Sequence, residues 1–132
     1  MPPVKLQKKD MAIFRRVSTE MTDRDGKVHR YAGIAVSDIL QKAGLAMGKQ
    51  LHGENLAQYM LAKAGDGYTV AFSLAELDSS FAEKTIILAD EVDGAPLPNG
   101  KGPFRIIVPG EKKPARSLWE VRTLIVRFGK DD

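Results

Sequence analysis

Three cations stand close together toward the C-terminal end of the sequence, in a segment that could bind an anion. They are Lys112, Lys113 and Arg116, and they follow a Pro-Gly pair that ends the short apolar stretch 104–108. A stretch of this length and composition predicts a buried strand, which would fix the loop that follows it. Lysine and arginine held in this way could bind a carboxylate or a phosphate. The alternative is a solvated basic loop, because most charge clusters lie only at the surface.

A further arginine, Arg105, lies inside the predicted strand itself. Successive side chains of a strand point to opposite faces of the sheet. Arg105 therefore either points out to solvent or reaches the same anion site as the loop cations. The solvent-facing orientation is favoured, and the other orientation makes Arg105 a candidate ligand-binding residue.

Four segments, in order, resemble the molybdopterin-binding domain of sulfite-oxidase-like oxidoreductases. Residues 96–116 follow the pattern PLPxxxGPxRxxVPGxxxxAR, and residues 31–40 are similar to (W/Y)xGVPLxDLL. Residues 66–77 look like DGYxxxxxLxEL, and residues 88–94 look like LAxExxG. The similarity extends over residues 28–126, which is most of the chain.

The resemblance implies a sulfite-oxidase-type fold of the α+β class, in which mixed β-sheets surround a few short helices. It also implies molybdopterin as the cofactor, with Arg116 at its phosphate, because Arg116 matches the family's arginine after VPG. Lys112 and Lys113 lie in the same loop, with a weaker individual match. Tyr68 matches the family's active-site tyrosine, whose phenol could hydrogen-bond an oxyanion or a metal-oxo group. The alternative for Tyr68 is a half-buried strand tyrosine beside a turn.

The sequence departs from the family pattern at positions that would contact the cofactor. The family holds molybdenum through a cysteine thiolate, and this sequence contains no cysteine. Residues 99–102 stand where the family tends to carry His-Gly, and Trp119 stands at the usual lysine position. Because a soft thiolate ligand tunes such a metal centre, these departures argue against normal molybdenum redox catalysis. They also predict that no residue of this chain is a metal ligand.

The sequence therefore predicts a domain that binds molybdopterin or another small anion and lacks the usual redox catalysis. One alternative is an active molybdopterin-dependent oxidoreductase without a protein cysteine ligand, which could use a redox-partner protein. The other alternative is a cofactor-free protein-interaction module. The resemblance favours a bacterial, periplasmic protein, although the first residues, MPPVKLQKKD, show no export signal.

Composition narrows the class of protein further. The chain has 132 residues, 43% of them hydrophobic and 28% charged, which is enough for one domain with a single core. No apolar run approaches the ~18 residues of a membrane span. Residues 1–16 and 101–116 each carry a net charge of +4, while residues 17–100 carry −5. With a total of only +3 and no recognised module, the sequence argues against nucleic-acid binding.

The two histidines and a cluster of three carboxylates are weaker candidates for a functional site. His29 and His52 are 23 residues apart, without the spacing of a metal site, which predicts two isolated surface histidines. Asp90, Glu91 and Asp93 are close in sequence and could form an acid-base pair, although Asp93 belongs to a predicted turn.

The sequence of the N-terminal region predicts a β-hairpin. Residues 1–10 are polar and predict a loosely ordered arm, and residues 11–17 predict a strand. The Asp-Gly pair at 25–26 then favours a tight turn, with a returning strand over residues 27–31.

Two short helices are predicted. Apolar residues at i, i+3, i+4 and i+7 indicate a helix over residues 36–43, with Ser37 as its N-cap and Gly44 after its end. Ser73 and Glu76 have the spacing of a capping box, so a second helix should begin at Ser73. Three apolar residues are predicted to face the core from this region: Leu74, Leu77 and Phe81.

The other elements are predicted to be strands. Residues 56–64 have a composition that favours a helix, but the resemblance makes them a strand that pairs across a turn with residues 68–72. β-branched and apolar residues predict strands over 85–92 and 118–128, in addition to the strand at 104–108. The last strand should be covered on both faces for part of its length, with Trp119 as a core anchor. Strands with two inserted helices indicate an α+β fold.

Overall fold

The computed structural model describes residues 2–130, and nine strands in that range form two antiparallel sheets. The strands are β1 Val4–Lys5, β2 Val17–Thr22, β3 Val28–Ala35, β4 Gln58–Ala64, β5 Thr69–Ser73, β6 Ile87–Val92, β7 Ala95–Pro96, β8 Arg105–Ile107 and β9 Val121–Phe128. The four-stranded sheet has the order β1, β9, β4, β5. The five-stranded sheet has the order β2, β3, β6, β7, with β8 also paired to β6. Two short α-helices, α1 Val36–Lys42 and α2 Leu74–Leu77, confirm the predicted α+β class.

The main hydrophobic core combines residues of both sheets and both helices. Ile34 and Ile106 reach it from the five-stranded sheet, and Met60 and Phe72 reach it from the four-stranded sheet. A second, smaller core cluster contains Met21, Tyr31, Ile87, Ala89, Leu97 and Ile107. Because neighbouring residues of β6 and β8 alternate between the two clusters, the centre of the five-stranded sheet is buried on both faces. No helix within residues 2–130 is long and apolar enough to cross a membrane.

At Gly33 the backbone of β3 leaves no room for a side chain. The register of β3 against β6 shifts between Ala32 and Gly33. A Cβ atom on Gly33 would lie 1.9 Å from the carbonyl oxygen of Leu88. Glycine at this bulge permits the pairing that places Tyr31 opposite Val92, at the end of the sheet where the candidate site lies.

The first helix begins where the sequence indicates, but its cap differs from the prediction. Its N-cap is Ala35, which offers no side-chain cap, so the assignment of Ser37 as the N-cap is wrong. The helix instead continues directly from β3, and the amide of Val36 donates to the carbonyl oxygen of Ile86 (3.0 Å). A tertiary contact thus satisfies one of the free amides of the first turn.

Two local signals are confirmed. Gly44 has a φ of +98° just after α1, a conformation that a glycine adopts without strain. At α2 the capping box forms, since the Glu76 amide donates to Ser73 Oγ (3.2 Å) and the Ser73 amide donates to Glu76 Oε2 (2.8 Å). Both signals depend only on neighbouring residues, which is why the sequence contains them.

The chain turns away from the core just after α2. The two leucines of α2 are buried as predicted, but Phe81 is 54% exposed, so its predicted core position is wrong. The cause is Asp78, whose carboxylate accepts hydrogen bonds from the amides of Gly48 (2.6 Å) and Ser80 (2.8 Å). These contacts end the helix and direct the following residues toward the surface.

The segment that had helical composition is a strand, as the resemblance predicts. β4 pairs with β5 on one side and with β9 on the other. Its residues alternate, with Gln58, Met60 and Ala62 buried, so pairing with two neighbours outweighs helix propensity. β6, β8 and β9 lie within the segments predicted for them. β9 buries three consecutive residues, 124–126, which confirms that both of its faces are covered there.

The N-terminal region differs most from its prediction. Residues 2–10 do not form a loose arm, because β1 pairs with β9 and Leu6 is only 8% exposed. The predicted strand over 11–17 is also wrong, since Lys8–Met11 form a 3-10 turn and β2 begins only at Val17. The predicted returning strand is confirmed as β3, which pairs with the whole of β2. Pairing with β9, more than 100 residues away, is a long-range contact that local composition does not reveal.

Candidate functional site

A cleft of about 640 Å³ lies where loops from both sheets meet. Its walls come from five segments: residues 23–31, 64–68, 92–93, 98–105 and 114–120. They include the turns after β2, β4 and β6 and the long loops on either side of β8. Loops held by a sheet in this way commonly carry function, so this cleft is the candidate site.

Arg105 lies on the wall of the cleft, and its predicted solvent-facing orientation is wrong. The residue is only 2% exposed. Its Nε donates to the Ser117 carbonyl oxygen (2.9 Å), and its Nη1 donates to Asp23 Oδ1 (2.8 Å) and Tyr31 Oη (2.7 Å). These bonds engage Nε and Nη1, so Nη2 is the guanidinium nitrogen that they leave available. A buried arginine requires such partners, and the sequence could not show that they exist.

Tyr31 and Asp23 complete the network around Arg105. Tyr31 Oη donates to Asp23 Oδ2 (2.6 Å) while it accepts from Arg105. Burial, together with the hydrogen bond to Asp23, raises the pKa of the Tyr31 phenol well above its ordinary value. Tyr31 is therefore a neutral hydrogen-bond donor that fixes the Asp23 carboxylate beside the guanidinium.

Trp119 lies between the core and the cleft. It packs against the smaller core cluster, as expected of a core anchor, and it also lines the cleft. The Arg105 guanidinium carbon lies 3.8 Å from the centroid of the Trp119 ring, and the Lys101 ammonium nitrogen lies 4.9 Å from it. Both distances are typical of cation–π contacts, so the single tryptophan of the chain contacts two cations of the cleft.

Tyr68 lines the cleft beside the turn after β4, with its side chain half exposed. Its hydroxyl donates to the carbonyl oxygen of Ala115 (2.8 Å), which belongs to the opposite loop. Tyr68 therefore holds the 114–116 loop against the four-stranded sheet, and its oxygen can still accept a hydrogen bond from a ligand. Direct contact with a ligand remains a prediction for this residue.

Arg116 is close to the cleft but is not among the residues that line it. Its Nη2 lies 2.8 Å from Glu76 Oε1 and 2.8 Å from Glu111 Oε2, and its guanidinium lies over the Phe72 ring, 4.8 Å from the centroid. The hydrogen bond to Glu111, and then the one to Glu76, raise the pKa of Arg116. Two carboxylates thus surround this cation, and it joins the 110–117 loop to α2.

The two loop lysines are also placed apart from the cleft. Lys112 and Lys113 are exposed, and neither is among the lining residues. The structure therefore brings Tyr68 and Arg105 together at one cleft and leaves the three loop cations outside it. Contact of Lys112, Lys113 or Arg116 with a ligand remains a prediction from the sequence.

His29 contributes to the cleft although the sequence indicated only an isolated surface histidine. Its Nε2 lies 2.8 Å from Asp25 Oδ2, and its Nδ1 lies 2.5 Å from Asp93 Oδ2. The hydrogen bond to Asp93, followed by the one to Asp25, raises the pKa of His29 to about 9. The sequence did indicate that both partners of His29 lie in turns, because Asp25 and Asp93 each precede a glycine. Nothing local, however, shows that the two turns meet.

The cleft has a mixed electrostatic character. Its lining includes four basic residues, Arg24, His29, Lys101 and Arg105, and five acidic ones, Asp23, Asp25, Asp66, Asp93 and Glu120. Arg105 and His29 are paired with aspartates, whereas Lys101 and Arg24 form no salt bridge with residues 2–130. Lys101 and Arg24 are therefore the cations of the cleft that have no carboxylate partner among the described residues. Within the same range no group of three or more His, Asp or Glu side chains could hold a metal ion.

Comparison with known families agrees with the resemblance read from the sequence. The family described as oxidoreductase molybdopterin binding domain matches residues 7–122. The matched range contains every segment that lines the cleft, from Asp23 to Glu120. A comparison with curated proteins finds no match.

Proposed function

We propose that this chain, which belongs to the oxidoreductase molybdopterin-binding domain family, binds a pterin phosphate of the molybdopterin type in the cleft around Trp119. The observation that supports this proposal best is the arrangement of two cations, Lys101 and Arg105, against one indole ring in a cleft of about 640 Å³. A cleft of this size is in the range of small-molecule sites.

The lining residues fit the two ends of such a ligand. Lys101 and Arg24 are cations without a carboxylate partner among the described residues, and either could bind a phosphate. The carboxylates of Asp66 and Glu120 are acceptors for the N–H groups of a pterin ring. The aromatic side chains of Trp119 and Tyr68 supply apolar surface. The cofactor, when bound, would supply a site for a redox-active metal.

This chain's own residues would bind and orient the cofactor and would not ligate its metal. The 132 residues contain no cysteine, so a thiolate ligand would not come from them. We therefore propose a binding domain without the usual molybdenum redox catalysis. Its roles are to hold the pterin, to neutralise the phosphate and to shield part of the ring from water.

Purification from a host that makes molybdopterin tests the identity of the ligand. We expect oxidised-pterin fluorescence in the purified protein and, in elemental analysis of the same sample, molybdenum well below one equivalent. Stoichiometric molybdenum together with activity toward an artificial electron acceptor would instead establish the oxidoreductase alternative. Protein that carries neither pterin nor metal would contradict the proposal and favour a cofactor-free module.

Titration followed by Trp119 emission tests the location of the site. The chain has one tryptophan, so a change in emission on addition of a pterin phosphate reports the cleft directly. Lys101→Ala is expected to weaken binding roughly tenfold, since a hydrogen bond to a charged group is lost. The matched control is Lys112→Ala, which removes the same charge from the exposed loop and should leave the affinity unchanged. The reverse result would place the site at the loop, and equal affinity for inorganic phosphate would indicate a site for small anions.

A further inference from the structure

His29 lies between two turns that form one edge of the cleft. One turn, residues 23–27, joins β2 to β3, and the other, residues 93–94, joins β6 to β7. Nε2 of His29 contacts Asp25 of the first turn and Nδ1 contacts Asp93 of the second, at 2.8 and 2.5 Å. A protonated imidazole donates from both nitrogens, whereas a neutral imidazole has only one N–H and can donate to only one carboxylate. Both contacts therefore require the imidazolium form.

We propose that protonated His29 is a positioning residue for the cleft: it fastens the 23–27 turn to the 93–94 turn, so that loss of its proton releases one wall of the cleft and weakens ligand binding. The inference rests on the proposed function insofar as it concerns affinity. The connection between the two turns rests only on the contacts of His29.

The two aspartates are not held equally well without His29. The Asp93 amide donates to the Arg30 carbonyl oxygen (2.7 Å), and the Arg30 amide donates to Asp93 Oδ1 (2.9 Å). Asp93 is therefore fixed to β3 by two backbone contacts. Apart from His29, the carboxylate of Asp25 accepts from the amide of Lys27, which lies inside its own turn (2.9 Å). Loss of the proton should therefore displace the Asp25 turn and leave Asp93 in place.

Displacement of that turn reaches the centre of the site through Asp23. This residue lies in the same turn, and its carboxylate accepts from both Arg105 and Tyr31. Arg105 in turn lies against the Trp119 ring, 3.8 Å from its centroid. A shift of the turn would therefore alter the surroundings of the tryptophan, which makes Trp119 emission a reporter even without ligand.

A pH effect can be assigned to His29 only if the neighbouring titratable groups keep their charge state in the same pH range. The titratable groups that line the cleft with His29 are Asp23, Arg24 and Asp25 from the first turn, Tyr31 from β3, Asp93 from the second turn, Arg105 from β8, and Asp66, Tyr68, Lys101 and Glu120 from the remaining walls. The hydrogen bond from His29 and then that from the Lys27 amide lower the pKa of Asp25. The amide of Arg30 and then His29 lower the pKa of Asp93. Both aspartates are thus ionised, and Tyr31 stays neutral, while His29 titrates near pH 9.

The sign of the pH effect follows from these shifts. The pKa of His29 is raised from its ordinary value of 6.5 to about 9. The stabilisation that its charge provides is therefore complete below pH 6.5 and is lost as the pH rises through 9. If only the protonated form binds tightly, the dissociation constant should rise about tenfold between pH 7 and pH 10.

Two variants of His29 separate this role from a purely structural one. His29→Gln stands for the neutral ring, and its affinity for a pterin phosphate should be weak at pH 7 and should lack the loss that is centred near pH 9 in the wild type. His29→Lys keeps a positive charge between the two aspartates, so its affinity should remain near the wild-type value at pH 7 and should not fall by pH 10. A fall in His29→Gln of the same size and midpoint as in the wild type would overturn the proposal. A His29→Lys protein that weakens at pH 10 as the wild type does would overturn it as well.

Measurements without ligand keep this proposal distinct from the proposed function. Proton NMR of the two histidines gives the pKa of His29 directly, with His52 as the second resonance. A His29 pKa near 9, with a change in Trp119 emission at the same midpoint, supports the connection between the turns even if no pterin binds. A pKa near 6.5, or emission that is constant through the transition, overturns it whatever the ligand proves to be.

Discussion

Replacing Gly33 by alanine is expected to lower the free energy of unfolding by about 3 kcal/mol or more, because the bulge between β3 and β6 has no space for a methyl group. The added Cβ would lie 1.9 Å from the Leu88 carbonyl oxygen and 2.6 Å from the Ala89 Cα. These are backbone atoms in the centre of the five-stranded sheet, so they cannot move without disrupting the pairing of β3 with β6. Urea unfolding followed by circular dichroism measures the loss.

Gly65→Ala is the matched control for that experiment. Gly65 also lacks a positive φ, and the nearest atom to its added Cβ is Nε of Arg122, at 3.3 Å. Arg122 is an exposed, flexible side chain that can move aside, so the change in stability should stay within about 0.5 kcal/mol. Equal effects of the two substitutions would show that the close approach at Gly33 is not what excludes a side chain there.

Replacing Arg105 by methionine should have the second large effect, on stability and on binding together. The Arg105 and Asp23 side chains are only 3% and 14% exposed. Removal of Arg105 leaves the Asp23 carboxylate, which is mostly shielded from water, without its counter-charge, at a cost of about 3 kcal/mol. The guanidinium is also lost from the Trp119 ring, so the emission of the tryptophan should change and pterin binding should weaken. Urea unfolding and the fluorescence titration measure the two effects.

A double-mutant cycle tests whether the loss of stability in Arg105→Met comes from its ion pair with Asp23. Asp23→Asn combined with Arg105→Met should destabilise the protein by much less than the sum of the single changes. Arg116→Met is the matched control, because Arg116 is likewise ion-paired, here with two carboxylates, but its side chain is about one-third exposed. It should change stability by no more than about 1 kcal/mol. Additive single effects at Arg105 and Asp23 would contradict the role assigned to their ion pair.

The local signals that the structure confirms have local physical causes. The apolar spacing from Val36, the glycine after the first helix and the Ser73–Glu76 capping box each depend on residues within two turns of one another. The N-terminal ten residues show the opposite case. Their composition is polar, and a pairing with β9, invisible to any local pattern, orders β1.

The candidate site shows the same division. The order of Gly, Pro and apolar residues between 31 and 116 indicated the family, and the family match over residues 7–122 confirms it. The same sequence also established that these residues contain no thiolate for a metal.

Only the tertiary structure decided which charged groups meet. Arg105 pairs with Asp23, 82 residues away, and His29 contacts Asp93, 64 residues away. Arg116, the strongest cation candidate from the sequence, is surrounded by Glu76 and Glu111 instead of facing the cleft. The physical reason is that backbone patterns are set by neighbouring residues and by burial. The interaction energy and the pKa of a charged group depend instead on its partner and on its exposure to water. The partner of each charged group and its exposure to water are set by how the loops of the two sheets come together.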